Sequence, residues 1–479
     1  MGFLRSSPSR EPILDAVVVG AGLAGLSAAR ELVRAGRNVR ILEARSRPGG
    51  RIFTLRSPFS DGLYAEAGAM EIGGGDRRVL QLCDQLGLKL DDVTARIFGA
   101  RSWISGRMLP GLASRATASA FGVAPEEAAH GLPGLLTRLA PVFAELGEPG
   151  HSESLPSALV ELDRLSLADF LRRRGFSAGA VSLLEFGGLA FFSGGARALS
   201  ALAGLLYLRS LAVSPQAFAI RGGNDALPIA LARSLGERIT YGAPVEKIEV
   251  GESGVSVLHR AGGRRQVLHA QQLICAVPLP ALQYIEFAPK CPRAWQRASD
   301  EVLYTPVSRL YLQLRRRPWL DAGLATGQVM TDTQLMWLED QSYNQPGPRG
   351  LLEVHTAGAL AHEWERWGAE ERSESATRTI SAFYPSIARD IERRCFVSWN
   401  RELWSGGAYP RFAPGQLAEV GWPLREPQGR LLMAGEHTST HVASLEGALE
   451  SGERTAQIAL QRSAWLAPAR RPEPAAPLL

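Results

Sequence analysis

Six residues near the start of the chain restrict its fold more than any other feature: Gly20-Ala21-Gly22-Leu23-Ala24-Gly25. They follow an apolar run at 15–19 with the composition of a buried strand. They open an apolar-periodic stretch at 23–35 that Gly36 ends. Gly20 permits a sharp strand-to-helix turn, Gly22 lets the backbone approach a pyrophosphate, and Gly25 lets the helix pack closely on the strand. Leu23 and Ala24 then start a helix whose free N–H groups face the phosphates. A second short strand at 38–42 leads to Glu43, whose carboxylate is placed to accept from ribose hydroxyls. This β-α-β start predicts the α/β class and a Rossmann-like dinucleotide domain.

The chain has 479 residues, enough for a second core. The pattern predicts strands at 244–250, 255–259, 272–277, 307–314 and 429–433, with a hairpin through 260–265. It predicts helices at 199–211, 370–383 and 445–460, and short helices with loops at 111–150. The expected division is a discontinuous dinucleotide domain (12–85, 215–290 and 395–462) and an α+β substrate domain (86–214 and 291–394). The chain then crosses between them several times. The proline-rich tail at 466–479 reads as disordered.

Several partners are disfavoured. A net charge of +5 without a basic stripe gives no reason to expect nucleic acid, and Arg315-Arg316-Arg317 reads as a solvated loop. Cys83, Cys275, Cys291 and Cys395 stand apart, and neither they nor the histidines show metal-ligand spacing, so no metal is expected. No apolar run reaches the ~20 residues of a membrane span. Residues 1–12 lack an apolar leader core, and a cytoplasmic protein is expected.

After Glu43 comes Ala44-Arg45-Ser46-Arg47-Pro48-Gly49-Gly50-Arg51. Its double glycine offers further backbone donors, and Arg45 and Arg51 are expected beside the pyrophosphate. This loop resembles the one that follows the acidic residue in FAD oxidoreductases of the flavin monoamine oxidase superfamily. Other segments are similar too. Asp61 to Met70 (DGLYAEAGAM), with Gly68, Ala69 and Met70, resembles the turn under the flavin ring. YGAPVEKI resembles the strand whose valine, Val245, meets the adenine through its backbone. Trp404-Ser405-Gly406-Gly407-Ala408-Tyr409 resembles the active-site segment, and MAGEHTSTHVASLEGALESGERTA the C-terminal signature. There Gly435 and Glu436 approach the ribityl chain and pyrophosphate, and the helix start at Ser444 and Leu445 points at the flavin. The resemblance implies FAD as cofactor, a small-molecule amine as substrate, and oxygen or another electron acceptor. It leaves oligomerisation open.

Four departures from the family pattern bear on function. Ala408 stands where some members carry a flavin-linked cysteine, so FAD is expected to be non-covalent. Arg309 stands where many carry a lysine near flavin N5. Tyr409 supplies one wall of an aromatic amine cage, but the other wall should fall near Ser444, where no aromatic stands. Glu71 follows Gly68-Ala69-Met70 where relatives acting on L-amino acids carry a carboxylate-gripping arginine. Its negative charge is expected to favour amines over amino acids, unless Arg77 or Arg78 pairs with it. Arg309, Tyr409, Glu71 and Ser444 are therefore the candidate catalytic residues, while His437 and His441 read as structural. The leading expectation is amine oxidation by hydride transfer to FAD. The alternatives are a C–C desaturase or double-bond isomerase, an L-amino-acid oxidase, and a flavin-binding protein without catalysis.

Overall fold

The computed structural model describes residues 13–147, 155–213 and 216–466. The expected disordered tail lies outside these residues except for Leu466.

The strand Leu14–Val19 lies inside an eight-stranded sheet. It pairs in parallel with Val39–Leu42 on one side and with Arg264–Cys275 on the other. Ala16 and Val18 pack into one core while Val17 and Val19 pack into another. Both faces are covered, which is why the strand reads as an unbroken apolar run. Leu431–Met433 adds a further parallel strand beside Arg264–Cys275. The expected hairpin is present, but its second strand, Arg264–Cys275, begins earlier than the apolar pattern alone indicates.

The helix Leu23–Arg34 packs on the long helix Leu445–Leu466, which runs beyond the expected end at 460. Gly25 makes the strand–helix contact possible. A methyl group there would overlap the Gly20 carbonyl oxygen and sit 3.1 Å from Ala276 Cβ. Gly25→Ala is expected to destabilise the protein by about 1–3 kcal/mol through overpacking and to weaken flavin retention. Thermal melting and the flavin-to-protein absorbance ratio check this.

A second sheet has seven strands. Its order is Ile391–Ser398, Val307–Leu314, Gly350–Ala357, Trp337–Asp340, Val329–Thr331, Arg101–Ile104 and Arg107–Leu109. The first of these strands runs through the boundary expected at 395, so 395–398 pair with the strand Val307–Leu314. Alternation gives the sheet two unlike faces. Leu310, Leu312, Val329, Leu338, Leu352 and Val354 join Trp319, Trp364 and Ile380 in a dry core. The opposite face carries Arg309, Tyr311, Trp337, Glu339, Glu353 and His355, in register across three strands. It is turned toward the dinucleotide domain: Arg309 Nη1 donates to the carbonyls of Glu66 and Gly68, each at 2.9 Å.

The helix Ala201–Val213 lies two residues later than expected, and Ala369–Ile380 stops three residues short. The arginine run at 315–317 lies in a surface bend, with Arg315 and Arg316 exposed. Arg316 pairs with Asp390 at 3.1 Å, and Arg317 donates to the Gln345 and Arg349 carbonyls. Among the described residues no helix is long and apolar enough to cross a membrane.

Candidate active site

The dinucleotide cradle is built around bare backbone. A Cβ on Gly22 would meet no protein atom within 4 Å, so the glycine serves an approach from outside the protein. The helix begun at Leu23 has no side-chain cap and no acidic residue in its first turn, so its N–H groups stay available to an anion. Gly49 and Gly50 hold positive φ angles of 98° and 57°, and Gly49 N–H bonds to the Ala21 carbonyl at 2.8 Å. That bond closes the second loop over the first. Glu43 is buried and accepts from Ala21 N–H at 2.7 Å and Arg45 N–H at 2.9 Å. Each carboxylate oxygen keeps acceptor capacity for a ribose hydroxyl. Burial pushes its pKa up against those two hydrogen bonds.

Two arginines expected at the pyrophosphate are engaged with protein. Arg51 forms a two-pronged ion pair with Glu436, at 2.6 and 2.7 Å, and donates to the Ala408 carbonyl at 2.6 Å. Arg45 donates to Ser405 at 2.9 Å and lies 3.3 Å from Glu402. Both therefore tie the double-glycine loop to the segment around Trp404, whose indole meets Tyr284 edge-on at 6.0 Å. Ala44 lies between Glu43 and Arg45 in that loop. At Val245 the ladder slips between Val245 and Lys247, and the neighbouring strand pairs only from Lys247 onward. The break falls where backbone contact with an adenine is expected. Gly435 has a φ of 150°, and a side chain there would collide with the His437 ring.

A second wall combines the turn at 68–70 with the polar face of the seven-stranded sheet. Gly68 presses against the Arg51 carbonyl too closely for a side chain. The Asn224 amide clamps the next turn, donating to Ala69 O at 3.0 Å and Met70 O at 2.9 Å. Arg309 is buried beneath this turn, with Nε 3.3 Å from Glu353. Burial works against its charge, but Glu353 outweighs that and holds the guanidinium above its usual pKa. Tyr409 donates to the Phe191 carbonyl at 2.9 Å and packs edge-on against Phe192. Phe191 in turn stacks on Trp337 at 5.0 Å and meets His355 at 5.1 Å.

Two sequence expectations change here. The Ser444 hydroxyl is engaged within the protein: it accepts from Gly447 N–H at 3.0 Å and donates to His441 O at 2.9 Å, capping the helix that starts at Leu445. Glu71 pairs with neither Arg77 nor Arg78. Its partner is Arg96, at 2.9 Å, while Arg78 binds Glu446 and Glu453.

Glu339 is the most unusual group of the wall. It is fully buried, and neither carboxylate oxygen has a hydrogen-bond partner. Burial pushes its pKa well up, with Glu71 adding to the rise and Arg96 opposing it. His355 is buried with both ring nitrogens unpartnered, and burial pushes its pKa down. Trp337 Nε1 also lacks a partner. Among the described residues no cluster suited to a metal ion exists.

The family model for flavin-containing amine oxidoreductases matches residues 23–460, which include the helix at Leu23, Glu43, the double-glycine loop and the charged wall. The chain belongs to that family. The putative L-amino-acid oxidase YobN of Bacillus subtilis (strain 168) is 28% identical over 456 residues, covering 92% of this chain and 93% of that protein. The L-amino-acid oxidase of Demansia vestigiata is 27% identical, covering 92% of this chain and 86% of that one. A putrescine oxidase bound to putrescine has the same fold, with a TM-score of 0.79, 24% identity, and coverage of 94% of this chain and 100% of that chain. Cyclohexylamine oxidase from Brevibacterium oxydans IH-35A gives a TM-score of 0.75 at 20% identity, with coverage of 94% and 99%.

As a member of this family the chain is an FAD-dependent oxidoreductase. The bare Gly22, the uncapped helix and the Glu43 carboxylate fit the dinucleotide half of FAD. The residues that sequence reading missed are Glu339, Glu353, His355, Trp337, Phe191 and Arg96. A signal for Glu353 and His355 was present: in LEVH, polar residues alternate with apolar ones at period two.

Proposed function

We propose that this enzyme oxidises a primary amine whose far end carries a second positive charge, a short diamine being the simplest case. The carrying observation is Glu339, a fully buried carboxylate with both oxygens unpartnered. Glu71, Glu339 and Glu353 share the wall with two guanidiniums, Arg96 and Arg309. His355 is held neutral. Burial favours the protonated form of Glu339, which leaves the wall balanced; a cation bound against it would hold it ionised and be matched by that one negative charge. An isolated buried carboxylate is costly, and an ammonium placed against it removes that cost. The names of the putrescine and L-amino-acid oxidases bracket the choice, and the acidic wall favours the amine. A substrate carboxylate there would meet like charge.

When bound, FAD supplies the hydride acceptor, and oxygen is the acceptor that regenerates it. The chain supplies position and dryness. Tyr409, Phe191 and Trp337 form an aromatic wall, and the Gly68–Met70 turn fixes the depth of approach. Ala408 offers no thiol, so the flavin is held without a covalent bond. Acid precipitation is therefore expected to leave a colourless pellet and intact FAD in the supernatant. A yellow pellet would contradict this. The free state of all four cysteines supports a reducing, cytoplasmic setting.

The test is kcat/KM for a diamine, the monoamine of equal length and the matching α-amino acid. The wild type should prefer the diamine, then the monoamine. Glu339→Gln should lower the diamine value by about tenfold to a hundredfold, the loss expected for one buried charge pair. A wild type that prefers the amino acid would return the L-amino-acid reading.

A further inference from the structure

Glu71 was expected to select substrates by its own charge, yet that charge is already matched. Arg96 lies in the short helix Thr94–Phe98 with only 7% of its side chain exposed. Its Nη2 is 2.9 Å from Glu71 Oε1 and 3.9 Å from Glu339 Oε2. The first contact is a hydrogen-bonded ion pair and the second is not a hydrogen bond. Arg96 Nε is buried without a partner, as are both oxygens of Glu339. A buried guanidinium with spare donors thus stops short of a buried carboxylate with spare acceptors.

We propose that Glu71 is a positioning residue that acts through Arg96: by holding the guanidinium, it keeps Glu339 free for the substrate's distal cation. This rests on the reading of Glu339 given above.

The backbone supports a tether of fixed reach. Glu71 follows the turn clamped by Asn224, and Ile72–Gly73 then pairs with Ala217–Ile220. The Glu71 backbone therefore has little freedom to follow a moving partner. The other charged groups around Arg96 and Glu339 are engaged elsewhere. Glu353 accepts from Gln341 at 2.7 Å and lies 3.3 Å from Arg309. Asp340, next along the strand, accepts from the Ser342 hydroxyl and from Gly327 N–H. His355 is neutral at ordinary pH, with Nδ1 3.4 Å from Glu353. Glu339 is thus the acceptor within reach if Arg96 is released. In a buried site that new pair would be strong, and it would put an internal cation where the substrate's cation belongs.

The tether and a simple charge effect predict different outcomes. Glu71→Asp keeps the charge but shortens the arm by one methylene. Glu71→Gln removes the charge. Glu71→Gln with Arg96→Gln removes both the tether and the competing cation. The readout is the ratio of diamine to monoamine kcat/KM at matched chain length, beside a crystal structure of the Glu71→Gln enzyme. Glu71→Gln is expected to lower the ratio by about tenfold or more, and Glu71→Asp by several-fold, the scale of a lost or newly competed buried charge contact. The double variant should recover most of the wild-type ratio. In the Glu71→Gln structure Arg96 should stand within hydrogen-bond distance of Glu339.

Three results would overturn the tether. One is an unchanged ratio in Glu71→Asp beside a lowered one in Glu71→Gln, which means that bare charge is enough. Another is a double variant no better than Glu71→Gln, which means that Glu71 meets the substrate itself. The third is an Arg96 that has not moved in the crystal structure. A wild-type ratio near one would refute the diamine reading instead, and the crystal structure would still decide the tether.

Discussion

Arg51→Ala is expected to yield a protein that melts early and loses its flavin. Arg51 binds both oxygens of Glu436 and the carbonyl of Ala408, joining the double-glycine loop to two C-terminal segments. Glu436 is 6% exposed, so alanine would strand a carboxylate away from water. Removing one partner of a buried pair costs about 3–5 kcal/mol. Arg51 keeps 24% of its side-chain surface, which argues for the lower end of that range.

The effect has a pH signature. Burial opposes ionisation of Glu436, but Arg51 outweighs it and holds the carboxyl far below its ordinary range. A depressed carboxylate stabilises the fold above its unfolded pKa of ~4.3, and that contribution is lost as pH falls toward the folded value. In Arg51→Ala the same carboxyl loses its partner, its pKa rises, and acid relieves the strain. The melting difference between wild type and variant should therefore be large at pH 8 and narrow toward pH 5. A constant difference would mean that Glu436 is not the group left uncompensated. Arg51→Met with Glu436→Leu should regain part of the melting temperature, because the stranded charge is gone.

The legible part of this protein is the part whose signal is local. Gly20, Gly22, Gly25 and Glu43 announce a dinucleotide cradle because turn, helix start and ribose acceptor lie within one short β-α-β unit. Val307–Leu314 was readable to the residue, since its polar and apolar residues alternate at the period of a strand. The charged wall was not legible as a cluster. Arg309, Glu339 and Glu353 come from three strands, and only the antiparallel register brings them together. The missing aromatic was sought near Ser444 by analogy in one segment, whereas Phe191 and Trp337 arrive from a helical stretch and a distant strand. Glu71 shows the same limit. Its neighbours in sequence offered Arg77 and Arg78, while its partner, Arg96, arrives from beyond the intervening helix Arg77–Gln85 and the strand Leu90–Asp92.

Glu66→Gln is expected to stabilise the protein at neutral and alkaline pH. Glu66 is 6% exposed, accepts from Asn224 N–H at 2.7 Å and Thr54 Oγ1 at 2.9 Å, and has its carbonyl bound by Arg309 and Tyr311. Burial pushes its carboxyl up to about 8, against the pull of those hydrogen bonds. The folded pKa is thus raised above the unfolded ~4.3. Its stabilising contribution is complete below ~4.3 and is lost as pH rises toward about 8. A shift of this size corresponds to a loss on the order of 3–5 kcal/mol. Glutamine mimics the neutral acid: its carbonyl accepts from Asn224 N–H, and its amide donates to Thr54 Oγ1. The variant and wild type should melt alike near pH 4, then diverge in favour of the variant up to about pH 8, and run parallel beyond it. Asp76, also pushed up by burial, to about 6, titrates in both proteins and cancels in the difference. Parallel melting curves across pH 5 to 9 would show that Glu66 is ionised in the folded protein, and that the Arg309 charge reaches it more strongly than its burial isolates it.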